Sequence, residues 1–221
     1  MKNTILRLIK YLFFKLPLYR YFLPVMKFDM SISQLNFILN TLDSIKNDGA
    51  IVEIGVGGGS TSVIINKHLK HTQIKRRFYA IDTFFGFTKE DILYEQNKRG
   101  KEDSYLYYRS NSKEWYTKTL IAHGIEDATV FKCDAKEFDY SLIGDISFCL
   151  FDVDLFLPTE SVLPRLYELL VPGGVIIVDD CQPELSIYDG AGEAYRSFCK
   201  KNGFIEEVLF DKFGIIKKPI S

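Results

Sequence analysis

Four aspartates stand in two short groups, Asp152-Val153-Asp154 and Asp179-Asp180, each directly after an apolar run. The first run covers residues 146–151 and is broken only by Ser147; the second covers residues 175–178. Carboxylates gathered at neighbouring strand ends repel one another unless something positive sits among them. With oxygen ligands alone and no histidine near them in the chain, the expected partner is magnesium or another hard divalent ion rather than zinc. The competing expectation is that these aspartates only cap helices or form ion pairs.

A second candidate site lies upstream, where residues 51–62 read IVEIGVGGGSTS. Val52 and Ile54 suit a buried strand, and Gly55, Gly57, Gly58 and Gly59 allow a sharp turn and close approach to a ligand. Ser60 or Thr61 is expected to cap the following helix, whose free N–H groups suit an anionic group. The same pattern is met in plain tight turns and in dinucleotide sites. The dinucleotide fingerprint, however, wants glycine where Ser60 stands, and Glu53 would repel a pyrophosphate. A carboxylate there instead attracts a ligand with an ammonium and a sulfonium, and S-adenosylmethionine carries both. Asp82 follows the loop by about 20 residues, where such folds place an acid on ribose hydroxyls. Asp134 is a candidate acceptor for the adenine amino group, or a solvated strand end.

These acids need strands to carry them. Helical spacing predicts a helix over residues 31–46, with Ser31 or Ser33 as cap, and another over 61–69. Strands are predicted over 78–81, ending in Asp82, and over 128–132. Ser112 is expected to cap a helix that runs through Trp115, Leu120 and Ile121 to Gly124. Residues 146–151 read as a central strand covered on both faces. A helix over 159–170, with Pro164 close to its start, is expected to lead through a Pro172-Gly173-Gly174 turn into a strand over 175–178. The candidate acids then lie at the C-terminal strand edge, where open α/β sheets bind ligands. Between residues 88 and 114 the chain turns polar yet keeps Tyr94, Tyr105, Tyr107 and Tyr108, as a lid or binding loop would. A surface excursion with ordinary tyrosines reads the same way.

The 221 residues allow one α/β domain, placed at 31–221, preceded by an arm at 1–30. A net charge of -1 argues against nucleic acid as partner and for a small or glycan-like acceptor. Cys133, Cys149, Cys181 and Cys199 form no CxxC pair, as expected of a reduced cytoplasmic protein. Residues 1–28 hold six basic residues and no acid, without an uncharged run of membrane-spanning length or a signal-cleavage pattern. That arm is expected to pack on its own domain or on a second subunit of a homo-oligomer. The alternative places it peripherally on the anionic inner face of a membrane. His68, His71 and His123 fall on peripheral helices and are given no catalytic role.

Together these motifs resemble class I S-adenosylmethionine-dependent methyltransferases, and within them the macrocin O-methyltransferase family of metal-dependent sugar O-methyltransferases. The matching pieces are the Glu53-to-Gly59 loop, Asp82-Thr83-Phe84-Phe85-Gly86-Phe87, Asp152-Val153-Asp154-Leu155-Phe156 with Pro158-Thr159, Pro172-Gly173-Gly174 and Asp179-Asp180. The segment after the aspartate pair, residues 191–204, also looks like the family's helix.

The resemblance implies a Rossmann-like, doubly wound, mostly parallel seven-stranded α/β sheet; the helical N-terminal arm and the lid insertion over residues 83–118 carry no family signal and are expected from composition and loop length alone. It implies that Glu53, Gly55, Gly57 and Asp82 hold S-adenosylmethionine; Gly59, Ser60, Thr83, Phe84, Asp134 and Asp152 complete the expected donor site. It also implies a Mg2+ or similar ion on Asp152, Asp179 and Asp180. Asp152 is then the candidate base for the acceptor hydroxyl, with Asp154 in reserve. The acceptor would be a sugar, glycan or secondary metabolite; the rival expectations are a phenolic or catechol acceptor, or a non-catalytic partner of a glycan-assembly enzyme. Phe156, Leu157 and Cys181 depart from the family's usual tyrosine, acid and aromatic, and these departures leave the acceptor open.

Overall fold

The computed structural model describes residues 5, 8, 9, 12, 29–182 and 187–220. The expected arm over 1–30 therefore falls mostly outside the described residues. Within it Ile5, Leu8, Ile9 and Leu12 are helical and exposed. No helix among the described residues is long and apolar enough to cross a membrane.

Seven strands form one sheet in the order β3-β2-β1-β4-β5-β7-β6. They are β1 (Ala50–Ile54), β2 (Phe78–Asp82), β3 (Thr129–Lys132), β4 (Ile146–Phe151), β5 (Leu170–Val178), β6 (Val208–Leu209) and β7 (Phe213–Lys217). The first five pair in parallel, while β7 runs antiparallel to both β5 and β6. The helices are α1 (Ile32–Ser44), α2 (Ser60–Thr72), α3 (Lys89–Asn97), α4 (Lys113–Ala122), α5 (Phe156–Leu169) and α6 (Gly190–Asn202).

The two-residue period of the strands divides the core. Val52, Ile54, Cys149, Phe151, Ile176 and Val178 point to the face covered by α5 and α6, through Val162, Leu163, Leu166 and Tyr195. Their neighbours Ile51, Phe148, Leu150, Val175 and Ile177 point to the other face, under Ile38, Leu42, Val63, Ile65 and Leu120 of α1, α2 and α4. Every residue of β1 and β4 is buried, which is why their sequences read as nearly unbroken apolar runs. From β1 the chain winds outward to β3, then returns to β4 and winds the other way. The resulting crevice at the C-terminal ends of β1 and β4 is the usual ligand position of such sheets.

Several local expectations need correction. The cap of α2 is neither Ser60 nor Thr61: Gly59 takes that place at φ 89°, with no side chain bonded to the helix start. Ser31 and Ser112 do cap α1 and α4, accepting from the N–H groups of Gln34 and Trp115. Helix α5 begins at Phe156 rather than at 159, which puts Pro164 in its interior. Pro164 and Glu160 are both exposed, so water can take the carbonyl that the proline leaves unpaired. Residues 172–174 are not a separate turn but part of β5, because the C-terminal tail pairs with them. Gly173 N–H donates to the Lys218 carbonyl at 2.8 Å, and Lys218 N–H donates to the Gly174 carbonyl at 3.0 Å.

Candidate active site

The tips of β1 and β4 touch. Asp152 N–H donates to the Ile54 carbonyl at 2.8 Å, and a Cβ on Gly55 would lie 1.6 Å from the Asp152 carbonyl oxygen. Gly55 also sits at φ 79°, so only glycine fits there. The loop beyond it is held by Asp82 at the end of β2. Asp82 Oδ2 accepts the N–H groups of Val56 at 2.8 Å and Gly57 at 3.3 Å, and its Oδ1 accepts that of Phe84 at 2.6 Å. Burial pushes the Asp82 carboxyl above its ordinary range, and these N–H groups oppose the shift. Asp82 thus organises the loop from a partly buried position at the end of β2.

Glu53 is buried one residue before the tip of β1. Its Oε2 accepts from the Ser62 hydroxyl at 2.5 Å, and the Tyr116 hydroxyl donates to Ser62 Oγ at 2.9 Å. Burial, with the Asp82 charge adding to it, pushes Glu53 up to about 8 although the Ser62 bond opposes. A buried acid of this kind gains from a cation brought to it.

Both groups open into one cavity of 810 Å³. Of the expected donor residues, Glu53, Gly55, Gly57, Ser60, Asp82, Thr83, Asp134 and Asp152 line it. Gly59 and Phe84 are not among its lining residues. Gly59 backs onto the Tyr116 ring, and the buried Phe84 ring packs against the same tyrosine at 5.4 Å between centroids. Phe84 therefore meets the site through its backbone, pinned to Asp82. Asp134 Oδ1 accepts from Lys136 N–H at 2.9 Å, with Lys136 Nζ 3.7 Å from its Oδ2.

Asp152, Asp154, Asp179 and Asp180 line the same cavity. Asp152, Asp154 and Asp180 can each bring one oxygen within 4.8 Å of the others. Burial first, and neighbouring carboxylates next, push Asp152 and Asp154 well above the ordinary range. Asp154 and Asp180 are held at φ 62° and 57°, a left-handed conformation uncommon for residues other than glycine and often found at functional sites. This all-oxygen group fits a hard divalent ion; it shares Asp152 and Asp180 with the expected set, and Asp179, the third expected ligand, lines the same cavity. Asp179 Oδ2 takes Lys212 Nζ at 2.9 Å, and its Oδ1 takes the Asp180 N–H at 2.9 Å. Burial pushes Asp179 up to about 6, and the Asp180 charge adds to this against the pull of Lys212.

Lys212 was not legible as a site residue, since it lies 32 residues past Asp180 in a hairpin that no motif marks. Trp115 and Asn111 also line the cavity without a sequence signal. The stretch between β2 and α4 forms much of one wall, through Phe87, Thr88, Tyr107 and Tyr108. Its anchor is charged: Arg99 pairs with Glu95, with Asp189 at 2.8 Å and with Glu193 at 2.7 Å, while Lys101 reaches Asp189 at 2.7 Å. The buried Glu95 also accepts the Phe156 N–H at 2.8 Å, which ties α3 to the start of α5.

Comparison with known proteins shows the family and the fold. The family model described as macrocin-O-methyltransferase (TylF) matches residues 25–215. No curated protein matches. Among solved structures, the O-methyltransferase NovP is 18% identical with a TM-score of 0.70, over 86% of this chain and 81% of that one. The calicheamicin methyltransferase CalS11 is 18% identical with a TM-score of 0.65, over 85% of this chain and 80% of that one. Its apo structure, described as that of a TDP-rhamnose 3'-O-methyltransferase, gives a TM-score of 0.57 at 18% identity, over 85% and 81%. At these identities the structures show the shared fold, and the family model carries the assignment. The chain belongs to the macrocin O-methyltransferase family and is an S-adenosylmethionine-dependent O-methyltransferase.

Proposed function

We propose that this enzyme methylates a hydroxyl of a sugar or sugar-bearing acceptor, assisted by a hard divalent ion. The observation that carries the reading is that the donor loop and the carboxylate cluster open into one cavity, joined where Gly55 meets Asp152. Glu53 would face the ammonium of the donor, and Asp82 would hold the loop in shape while keeping lone pairs for the ribose. In the reaction the acceptor O–H gives its proton to a carboxylate, the oxygen attacks the methyl carbon, and the carbon–sulfur bond breaks to leave S-adenosylhomocysteine. Asp152 is the proposed base, with Asp154 beside it as the alternative. An ion on Asp152, Asp154 and Asp180 would stabilise the developing alkoxide. The transfer is then an in-line displacement, in which alignment supplies much of the rate.

The wall built by Phe87, Tyr107 and Tyr108 supports a sugar as acceptor, since aromatic faces pack well against the C–H faces of a pyranose while hydroxyls reach polar groups. CalS11, described as acting on TDP-rhamnose, is consistent with that choice. We assign residues 83–118 as the acceptor-side cover of the site, held at its base by Arg99. The test is to incubate the full chain with donor and Mg2+ against a panel of nucleotide sugars, free glycosides and catechols, and to quantify S-adenosylhomocysteine. Turnover with a sugar supports the reading; turnover confined to catechols replaces it with the phenolic one.

A further inference from the structure

The acidic cluster already contains a positive charge supplied by the protein. Lys212 Nζ lies 2.9 Å from Asp179 Oδ2 and 3.2 Å from Asp180 Oδ1, on the wall of the cavity. Its position is fixed by backbone as well as by charge. Between β6 and β7 three residues connect the paired Leu209 and Phe213, and the chain turns through Phe210 and Asp211, both left-handed at φ 56° and 51°, a conformation that normally favours asparagine and glycine. Lys212 N–H donates to the Leu209 carbonyl at 3.1 Å, and the Lys212 carbonyl accepts the Cys181 N–H at 2.7 Å. The hairpin is thereby fastened to the residue that follows Asp180.

We propose that Lys212 is a positioning residue that sets how tightly the cluster holds its divalent ion, by holding one oxygen each of Asp179 and Asp180 and by opposing the incoming charge. The inference rests on the divalent ion proposed above. Each oxygen of Asp179 accepts one hydrogen bond, one from the ammonium and one from the Asp180 N–H. Asp152, Asp154 and Asp180 can bring one oxygen each together, and Lys212 competes for one oxygen of Asp180. Four carboxylates offset by one ammonium hold a cation less strongly than four carboxylates alone, because a fixed positive charge a few ångströms away repels it. Weak holding has a use in methyl transfer, since the acceptor oxygen has to enter and leave next to the ion.

The experiment measures Mn2+ binding to the full chain without donor, from the signal of the free ion in electron paramagnetic resonance. It compares wild type with Lys212→Met, Lys212→Gln and Lys212→Arg; the Gln variant, which can still donate to Asp179, guards against misfolding of the Met variant. The neutral variants are expected to bind Mn2+ tighter by about tenfold or more, given the strength of a charge pair at this separation. The Arg variant is expected to stay near wild type, an outcome that simple loss of packing would not produce. If wild type binds Mn2+ and both neutral variants bind it equally or more weakly, Lys212 lacks this role while the ion stands. If neither wild type nor the neutral variants bind Mn2+, the divalent reading falls and the role of Lys212 falls with it.

Discussion

Val56 donates its backbone N–H to Oδ2 of Asp82 at 2.8 Å, across the gap between the tip of β1 and the end of β2. Gly57 and Phe84 donate to the same carboxylate, so three N–H groups of two loops depend on one side chain. Asp82→Ala leaves those donors without their partner. It is expected to lower stability by about 1–3 kcal/mol and to weaken binding of S-adenosylhomocysteine. Asp82→Asn keeps one acceptor oxygen and should be milder in both. Denaturant unfolding and calorimetry measure the two effects; an Asp82→Ala chain of undiminished stability would mean that the loop holds its shape without this carboxylate.

The glycines of the loop separate into two kinds. A methyl group on Gly55 would collide with the Asp152 backbone at an already positive φ, whereas one on Gly58 meets nothing within 4 Å and Gly58 has no left-handed φ. Gly55→Ala is therefore expected to disrupt the junction of β1 and β4, with loss of folded yield or a large drop in unfolding midpoint. Gly58→Ala should keep the stability of the parent within about 0.5 kcal/mol, as for ordinary surface changes. Its methyl points into the cavity lining, so its effect should appear in donor affinity instead.

What could be read from the sequence followed the backbone. The apolar run over β4, broken only by Ser147, announced a strand covered on both faces, Val52 and Ile54 announced a buried β1, and the acids at their ends were placed at the correct edge of the sheet. The short strands β6 and β7 gave no such signal individually, and with them Lys212 was missed, because its approach to Asp179 depends on a hairpin returning to the sheet from 33 residues away in sequence. Phe84 sits within a recognisable motif, yet its side chain belongs to the core and its N–H is given to Asp82. Periodicity reports which face is buried; it does not report which partner a carboxylate will choose.

Glu53 gives the donor site a pH signature. Burial holds the folded-state value at about 8 against 4.5 when unperturbed, so the folded chain keeps a proton that the unfolded chain releases. Stability contributed by that proton is full below 4.5 and is lost progressively as pH rises towards 8. A donor ammonium placed against Glu53 favours its ionised form, so binding S-adenosylhomocysteine at neutral pH should release a proton. Calorimetry in buffers of different ionisation enthalpy detects that release, and Glu53→Gln should abolish it together with this part of the pH dependence of unfolding. Donor binding without proton release would place the ammonium elsewhere.

Arg99 anchors the acceptor-side wall through carboxylates of very different exposure. Glu95 is fully buried and Asp189 nearly so, while Glu193 is more than half exposed and contributes little. Arg99→Met leaves the buried acids without their main counter-charge, and a loss of about 3–5 kcal/mol is expected, as when one partner of a buried pair is removed. The same change frees the wall that carries Tyr107 and Tyr108. In the fraction that remains folded, acceptor KM should rise more than donor affinity falls. Equal losses in both would mean that the network supports the domain as a whole.

Asp152 and Asp154 allow proton removal to be separated from donor binding. Each sits in the carboxylate cluster beyond the tip of β4, while the N–H groups of the donor loop are held by Asp82. Replacement of the proposed base by asparagine should lower kcat by about 100- to 10,000-fold, the usual contribution of a positioned proton acceptor, while S-adenosylhomocysteine binds nearly as before. Asp152→Asn is expected to show the larger loss, because its backbone is fixed by the Ile54 carbonyl at the junction with the donor loop. Excess chelator should act on kcat in the same way and should add little to a variant that has already lost its ion ligand. The opposite ranking, with Asp154→Asn the more damaging, would move the proton to the residue held in the left-handed turn and leave Asp152 to the ion. Full turnover of the wild type in chelator would remove the ion from the reaction and leave the carboxylates with the proton alone.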